Sequence, residues 1–321
     1  GKEITIHVGL PDDAELRVAY EDTSRKLTWE EYDQLLIAGF YYDVSHYKGK
    51  STFSHSGTPG KTSEPFPGTA INGAVKNKMC YPGSIEAGNV LVYNQQGTLK
   101  NIYSCTADNT RSDTIINKAL TEVVQLSGGT IYLKGPFTFL IGGTVKIGDN
   151  THLKGDADVK IQPHDSANWE QYIPLIGNMS NANQNIEISG FQLFGNEPGV
   201  VKPPKLDRYY LCIILNGSNI SIHNMHLSGN YGDGILIGYN NPGFNENIQI
   251  YDNTINRIQH DAVCVNEGRN VQVYNNQITC RLNCGIRMYN TNIVEIYDNY
   301  ITSNNEGGAG IQIQKRGNTP M

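Results

Sequence analysis

The sequence predicts an all-β fold: a right-handed single-stranded parallel β-helix, or solenoid, with an N-terminal capping helix and a β-rich N-terminal segment. Two repeating sequence elements, an amphipathic helix ahead of them, and a composition rich in turn formers predict this fold. The 321-residue chain has 34 glycines, and its 19 tyrosines outnumber its 8 phenylalanines. Many short strands joined by tight turns are typical of such a composition.

The first repeat is an Asn-aliphatic-x-aliphatic element whose last three copies end in asparagines spaced 23 residues apart. Its five copies are Asn185–Gly190, Asn219–Asn224, Asn247–Asn253, Asn270–Asn276 and Asn292–Asn299. A second repeat lies between them, with copies at Asp233–Ile237, Asp261–Val265, Cys284–Met288 and Gly310–Ile313. Each coil therefore carries strands at fixed offsets, with aliphatic side chains inside and polar side chains outside. The asparagines are expected to form ladders at the turns.

An amphipathic helix is predicted over residues 113–126, with Asp113 as the N-cap and Gly128-Gly129 as the stop signal. Because short strands follow it, the helix is expected to close one end of the solenoid. Residues 1–104 are predicted to form a β-rich, loop-rich N-terminal segment or cap, and residues 105–321 the parallel β-helix. The chain stops at Met321, soon after the last predicted strand. We therefore expect a fragment with further C-terminal domains, or an end covered by a partner such as a second copy in a homo-oligomer.

The charge composition limits the classes of partner. Only 17% of residues are charged and the formal net charge is −6, so neither nucleic acid nor a membrane surface is an expected partner. No apolar run is long enough to span a bilayer. The six cysteines form no Cys-x-x-Cys pair, which argues against a zinc or redox site. Three Asn-x-Ser sequons are compatible with the expected secreted or cell-surface location.

The predicted helix and the segments Gly128–Leu133 and Gly155–Ile161 resemble the start of pectate-lyase-like β-helix proteins. The resemblance covers about residues 105–321. It implies a carbohydrate ligand but leaves the reaction open, because this superfamily includes polysaccharide lyases, glycoside hydrolases, uronan epimerases and phage tailspikes. Its polygalacturonase and epimerase motifs are not intact here; His260-Asp261-Ala262 and Ile286-Arg287-Met288 match the former only in part.

The loop-rich N-terminal segment joined to such a helix is, more narrowly, similar to the disaggregatases of methanogenic archaea. That resemblance implies a chondroitin-like matrix polysaccharide as the substrate.

Two acidic residues recur at one position of adjacent coils. Asp233 and Asp261 each come immediately before a strand of the second repeat. Neighbouring parallel strands lie about 4.8 Å apart, so the two carboxylates are expected close together. Their repulsion would raise the pKa of one acid and leave the other ionised, as a general acid and a nucleophile or base require. The alternative is that both are Asx-turn residues with a structural role.

Other titratable residues are predicted to lie beside this pair. His260 adjoins Asp261, and Glu267 follows the same strand. Arg287, in the next coil, is predicted to bind a substrate uronate or to serve as the base of a lyase. Its alternative is a structural salt bridge with Asp261 or Glu267. The predicted catalytic residues are therefore Asp233, Asp261, Arg287, His260 and Glu267.

Aromatic and cationic side chains near these strands are predicted to bind substrate: Tyr231, Tyr239, Arg281, Tyr289 and Arg208. Arg208 belongs to the insertion Glu197–Tyr210, which lengthens one coil and is expected to form a wall of the groove. No cofactor is expected. Calcium stays open because Asp233, Asp261 and Glu267 offer oxygen ligands, although the usual six to eight ligands cannot be assigned.

The sequence therefore predicts an extracellular polysaccharide-degrading enzyme, a glycoside hydrolase whose partner is an acidic, uronic-acid-containing polymer. A polysaccharide lyase working by β-elimination is the first alternative. A non-catalytic glycan-binding surface or tailspike module is the second, and it would bind polymer without shortening it.

Overall fold

A computed structural model of the chain describes residues 2–7, 15–20, 85–167, 169, 173–200, 210–239, 243, 245–281, 283–303 and 309–315. Contacts divide the chain into two units, residues 1–86 with 97–101 and residues 87–96 with 102–321. In the first unit, β1 (Lys2–His7) pairs antiparallel with β2 (Glu15–Tyr20). The assignment of residues 1–104 to an N-terminal segment or cap stays a prediction.

The remaining strands form three sheets. Sheet 1 has seven strands, β7 (Val145–Ile147), β10 (Ile173–Asn178), β13 (Tyr210–Leu215), β16 (Ile235–Ile237), β19 (Val263–Asn266), β22 (Ile286–Tyr289) and β25 (Ile311–Gln314). Sheet 2 has nine, β4 (Leu99–Ser104), β3 (Asn89–Asn94), β5 (Gly129–Leu133), β8 (Thr151–Gly155), β11 (Asn183–Ser189), β14 (Gly217–His223), β17 (Asn245–Tyr251), β20 (Gly268–Tyr274) and β23 (Asn292–Tyr297). Sheet 3 has seven, β6 (Phe137–Ile141), β9 (Val159–Pro163), β12 (Gln192–Phe194), β15 (His226–Asn230), β18 (Thr254–Ile258), β21 (Gln277–Cys280) and β24 (Tyr300–Ser303).

Consecutive strands pass from sheet 1 to sheet 2 to sheet 3 and then to the next strand of sheet 1. Equivalent strands of neighbouring coils pair in parallel, as β14 does with β17 and β17 with β20. About six such turns follow one another, and a right-handed path is the rule for parallel crossovers. The predicted right-handed parallel β-helix is therefore confirmed. β3 departs from the pattern, since it pairs antiparallel with β5.

The core consists of columns of aliphatic side chains that repeat from coil to coil. One column of sheet 2 contains Ile186, Ile220, Ile248 and Val271, none of which is more than 1% exposed. Fully burying one such side chain stabilises the fold by about 1.5–3 kcal/mol. Because the strand alternates, the residue after each of these points outward, which explains the period-2 pattern of the repeat.

The helix α1 (Ser112–Gln125) covers one end of this core. Its apolar stripe packs into the core cluster and is fully buried at Ile116, Ala119, Leu120 and Val123. The predicted N-cap is wrong, because Arg111 holds that position and Asp113 lies in the first turn. There, Oδ1 of Asp113 accepts a hydrogen bond from the backbone N–H of Gly142 at 2.9 Å, and its negative charge is favourable beside the helix N-terminus. Among the described residues, no helix is long and apolar enough to cross a bilayer.

Asparagine ladders join the coils, as the repeat predicts. Asn185, Asn219, Asn247 and Asn270 follow one another on the outside, and each Nδ2 after the first donates to Oδ1 of the preceding asparagine at 2.8 Å. All four have φ between 54° and 57°, a left-handed conformation that asparagine tolerates better than most residues. The ladder therefore serves the turns, and the structural interpretation of these residues is confirmed.

A second ladder is buried at the turn between sheet 2 and sheet 3. Oδ1 of Asn276 accepts from Nδ2 of Asn253 at 3.0 Å, and Nδ2 of Asn276 donates to Oδ1 of Asn299 at 2.9 Å. Asn276 also donates to the backbone oxygen of Ile250 at 2.9 Å. These side chains satisfy backbone groups that the tight turn would otherwise leave buried without partners.

Candidate active site

The predicted acid pair lies in the turn that leads from sheet 3 into sheet 1. Ile235 pairs with Val263, so Asp233 and Asp261 occupy the same position in adjacent coils. The backbone N–H of Gly234 donates to the backbone oxygen of Asp261 at 2.9 Å and fixes this alignment. Asp233 is 5% exposed and Asp261 is 1% exposed. A buried carboxyl group needs hydrogen bonds or counter-charges, and the surrounding turn supplies both.

His260 lies between the two carboxyl groups. Its Nδ1 is 2.5 Å from Oδ1 of Asp233 and 3.4 Å from Oδ2 of Asp261. The backbone N–H of Asp261 donates to the same Oδ1 of Asp233 at 2.9 Å, and the backbone N–H of Cys284 donates to Oδ1 of Asp261 at 3.0 Å. Backbone donors thus hold each carboxyl group in place, and the imidazole joins the two.

Arg287 and Asn283, from the next coil, complete the network. Nε of Arg287 lies 3.0 Å from Oδ2 of Asp261, in a geometry that makes an ion pair but no hydrogen bond. Its Nη1 donates to the hydroxyl of Tyr289 at 2.6 Å, and its Nη2 donates to Oδ1 of Asn283. Nδ2 of Asn283 lies 2.7 Å from Nε2 of His260. The polar cluster is defined here as Asp233, His260, Asp261, Asn283 and Arg287.

Burial and mutual charge set the protonation of the polar cluster. Burial first, and the charge of Asp233 second, raise the pKa of Asp261 to about 6, against the lowering effect of His260 and Arg287. Burial lowers the pKa of His260, but its hydrogen bond to Asp233 and the two carboxylate charges outweigh burial and raise that pKa above its ordinary value. One carboxyl group of the pair therefore keeps a proton at weakly acidic pH.

The polar cluster contains the one group with metal-ligand spacing in the described part of the chain. Ligand atoms of Asp233, His260 and Asp261 lie within 4.8 Å of one another. However, Nδ1 of His260 already contacts both carboxyl groups, and the guanidinium of Arg287 lies beside Asp261. Protein cations therefore already pair with these acids, and the expectation that no cofactor is bound stays a prediction.

The structure does not bring Glu267 to the polar cluster, and its predicted catalytic role stays a prediction. Glu267 follows β19, whereas Asp261 precedes that strand. The extended chain from Asp261 to Glu267 spans roughly 20 Å. Oε1 of Glu267 instead accepts a hydrogen bond from Nδ2 of Asn290 at 2.7 Å. Asp233 and Asp261 precede strands of sheet 1, whereas Glu267 follows one. The three acids predicted as calcium ligands therefore do not form one site.

Tyr231 and Arg281 lie on the same side of the solenoid but contact Glu197. The hydroxyl of Tyr231 donates to the backbone oxygen of Glu197 at 2.9 Å. Nη1 of Arg281 lies 3.2 Å from Oε1 of Glu197. Nε2 of Gln259, the residue before His260, donates to the same Oε1 at 2.9 Å. Glu197 thus ties the start of the predicted insertion to the turns beside the polar cluster. Arg208 lies outside the described residues.

Tyr239 and Tyr289 belong to a small apolar group on the outward face of sheet 1. Tyr289 is buried there, and Tyr239 packs against the group, which also contains Ile214, Leu236 and Cys264. Because Tyr289 is 7% exposed and its hydroxyl accepts from Arg287, it supports the guanidinium and offers no open ring face for a sugar. The proposed stacking role of Tyr239 stays a prediction.

Sequence reasoning missed Asn283 and Cys284. Asn283 lies 23 residues after His260, and Cys284 lies 23 residues after Asp261. That offset equals the coil period, so it was the available signal. Sγ of Cys284 lies 3.0 Å from Nη2 of Arg287. Burial raises the pKa of this thiol despite the hydrogen bond from Arg287, so Cys284 is protonated and neutral where the two preceding coils carry acids.

Comparison with known proteins supports the fold. A family model described as a right-handed beta helix region matches residues 179–320. Among solved structures, the A-module of a mannuronan C-5 epimerase from Azotobacter vinelandii is 18% identical, with a TM-score of 0.56 over 68% of this chain and 58% of that one. A protein assigned as a glycosyl hydrolase from Parabacteroides merdae is 13% identical, with a TM-score of 0.45 over 58% of this chain and 86% of its own.

No curated protein matches the chain. The chain spans 58% of the length of the epimerase module. At this identity the similarity shows the shared solenoid fold, and function must be argued from the polar cluster.

Proposed function

We propose that the protein is an extracellular enzyme that cleaves a uronic-acid-containing polysaccharide, with the polar cluster as its active site. The proposed reaction is glycoside hydrolysis, in which Asp261 donates a proton to the leaving oxygen and Asp233 is the nucleophile. The observation that carries this proposal is the pairing of two buried carboxyl groups in adjacent coils. The raised pKa of Asp261, about 6, supports the same division of roles.

The spacing of the acids supports hydrolysis with retention of configuration. Atoms of Asp233 and Asp261 lie within 4.8 Å of each other. Inverting enzymes leave room for a water molecule with a separation of about 6.5–9.5 Å, whereas retaining enzymes use about 5–5.5 Å. The proposed route is therefore a double displacement through a glycosyl ester of Asp233, which water hydrolyses in the second step. Asp261 protonates the leaving sugar in the first step and takes a proton from water in the second.

Access to the acids requires a local rearrangement. The side chains of His260 and Arg287 are 13% and 10% exposed, whereas that of Asp261 is 1% exposed. A sugar oxygen can reach Asp261 only if its neighbours move, and catalytic contacts commonly tighten only when substrate binds. Substrate binding is therefore proposed to part His260 from Asp261, whose 3.4 Å separation is the longer of the two imidazole contacts.

An acidic substrate is proposed from the cations beside the polar cluster. Arg257 and Arg281 both pair with Glu197, yet their side chains remain 60% and 46% exposed. A uronate carboxylate is the kind of group that exposed guanidinium ions bind. The epimerase that shares the fold acts on mannuronan, and the resemblance to disaggregatases suggests a chondroitin-like polymer. Both polymers are therefore test substrates.

β-Elimination is the second candidate reaction. It is favoured by the contact of His260 with Asn283 and by Arg287 nearby, because a lyase needs a base for the proton at C5 and a cation beside the uronate. Its product carries a new carbon–carbon double bond and absorbs ultraviolet light, which hydrolysis does not produce.

The test is to incubate the full chain with chondroitin-like, pectin-like and mannuronan polymers while following reducing ends and ultraviolet absorbance together. New reducing ends without absorbance support hydrolysis. Both signals together mean elimination and overturn the hydrolase. Binding without either signal overturns the enzyme and leaves a glycan-binding module.

A further inference from the structure

Asn283 bridges two side chains of the polar cluster that differ in hydrogen-bonding capacity. Its Oδ1 accepts from Nη2 of Arg287, and its Nδ2 lies 2.7 Å from Nε2 of His260. A guanidinium group has donors only, so the amide oxygen must face Arg287 and the amide NH₂ must face the imidazole. The orientation of the amide is therefore fixed by Arg287, and a flipped amide would place donor against donor.

This orientation determines which nitrogen of His260 carries the proton. Because the amide NH₂ of Asn283 donates, Nε2 of His260 accepts, and the proton of the neutral ring lies on Nδ1. Nδ1 then donates to Oδ1 of Asp233 at 2.5 Å. The opposite tautomer would set two donors against each other at Nε2 and leave Asp233 without this donor, which is unfavourable for buried polar groups.

We infer that Asn283 is a positioning residue that holds His260 in the Nδ1–H tautomer and directs that proton to Asp233. The inference deepens the proposed function and rests on it only for the catalytic consequence. With the Nδ1–H bond in place, the imidazole donates to Asp233, and Asp261 remains the member of the pair whose pKa is raised by burial.

Protein groups hold Arg287 in the described structure, and its role as a substrate clamp stays a prediction. Its Nη1 and Nη2 donate to Tyr289 and Asn283, and its Nε pairs with Asp261. Since these protein groups engage all three nitrogens and the residue is 8% exposed, Arg287 orients Asn283 from behind. The charged side chains that act on His260 in the described structure are Asp233, Asp261 and Arg287.

The test replaces the donor that faces Nε2 by an acceptor of the same shape. In Asn283→Asp, a carboxylate oxygen faces Nε2, so His260 is expected to hold protons on both nitrogens. The ring ¹⁵N shifts of His260 are measured by NMR in the full chain and assigned from the signal lost in His260→Gln. The native protein is expected to show the neutral Nδ1–H tautomer at high pH. In Asn283→Asp the titration midpoint of His260 is expected to rise by about one pH unit or more.

Two further variants keep the test decisive. Asn270→Asp adds the same charge on the exposed ladder and is expected to leave the His260 shifts unchanged. Asn283→Leu removes the donor without adding charge, so the share of the Nε2–H tautomer at high pH is expected to rise, although the bond to Asp233 still favours Nδ1–H; this variant replaces Asn283→Asp if the latter does not fold. A native Nε2–H tautomer, or a His260 midpoint unmoved in Asn283→Asp, overturns the inference.

The NMR result is independent of turnover. If the tautomer is as expected but no polymer is cleaved, the proposed function fails and the positioning role stands. If polymer is cleaved but the native tautomer is Nε2–H, the positioning role fails and the enzyme stands. An unchanged KM with a lowered kcat in Asn283→Leu would tie the tautomer to the chemical step.

Discussion

On the outer face of sheet 2, the same side chain recurs from coil to coil: the rings of Tyr251, Tyr274 and Tyr297 stack with centroids 4.9 Å apart and nearly parallel planes. In the turn between sheet 3 and sheet 1, the equivalent position holds an aspartate in two coils, Asp233 and Asp261, and a cysteine, Cys284, in the third. Both regions use the same spacing along the axis. Stacked aromatic rings stabilise neighbouring coils, whereas stacked carboxyl groups bring like charges together, which costs stability unless counter-charges pair with them.

The largest effect is expected from breaking the acid pair. Asp261→Asn keeps the acceptor for the N–H of Cys284 but cannot donate a proton to a leaving group. Turnover of the cleaved polymer is expected to fall by about 10²- to 10⁴-fold, with the thermal midpoint of unfolding little changed. Asp298→Asn, an equivalent change at an exposed turn, serves as the control and should retain full activity. Equal activity in Asp261→Asn would remove Asp261 from the catalytic assignment.

Replacing a residue of the buried asparagine ladder should lower stability and leave activity unchanged. Asn276→Ala removes the side chain that joins Asn253, Asn299 and the oxygen of Ile250. Leaving such buried groups unpaired should lower the free energy of unfolding by about 3 kcal/mol, measured from urea midpoints, while kcat of the folded fraction is unchanged. Asn256→Ala removes a hydrogen bond to the exposed side chain of His226; this variant is the control and should cost less than about 1 kcal/mol.

The acid pair should also make stability depend on pH. The folded pKa of Asp261 is about 6, above its unfolded value of about 3.9. A raised folded pKa means that the associated stability is fully present below the unfolded pKa and is lost as pH rises through about 6. His260, whose folded pKa is also raised, contributes with the same sign at higher pH. The free energy of unfolding should therefore fall by about 2–3 kcal/mol between pH 4 and pH 7.

Asp261→Asn provides the control for that pH dependence. Its denaturant midpoint should change less than that of the native protein across the same range, because one titrating group is gone. A native midpoint that rises with pH in this window would contradict the raised pKa of Asp261.

The sequence predicts the position of a site residue only where that residue recurs with the repeat of the coils. The second repeat was enough to place Asp233 beside Asp261, and the 23-residue period that follows placed Arg287 in the next coil; the structure brings the three residues together. The same period pointed to Asn283, but its role depends on which end of an amide faces the imidazole, and only side-chain geometry shows that.

Residues outside the period could not be placed in the same way. Glu267 is near Asp261 along the chain, but an intervening extended strand separates them. Glu197 reaches Gln259 and Arg281 from an earlier coil. No repeat predicts that contact, because Glu197 begins an insertion of irregular length.

A smaller effect on stability is expected on the outer face of sheet 2. Gln272 donates to Oε2 of Glu295 and accepts from Nε2 of Gln249. Gln272→Glu places two carboxylates in neighbouring coils and should cost about 0.2–1 kcal/mol, less at high salt. Gln249→Glu, which has no acid in the adjacent coils at this position, is the control. An equal cost in both variants would show that charge repulsion is not the cause.

The smallest effect is expected from metal removal. Because protein cations pair with Asp233 and Asp261, dialysis against a chelator should leave both the thermal midpoint and the rate of polymer cleavage unchanged. Recovery of lost activity by added calcium would show that the acids bind an ion, and the assignment of their charges to His260 and Arg287 would then be wrong.

The polar cluster takes its members from three successive coils, with Asp233 in the first, His260 and Asp261 in the second, and Asn283 and Arg287 in the third. Along the solenoid axis these coils are joined by hydrogen bonds and packing, which stretch far more easily than covalent bonds. A mechanical pull along that axis would lengthen the contact of His260 with Asp233 and that of Asn283 with His260 together. The position of one imidazole proton would then report tension along the axis of the solenoid.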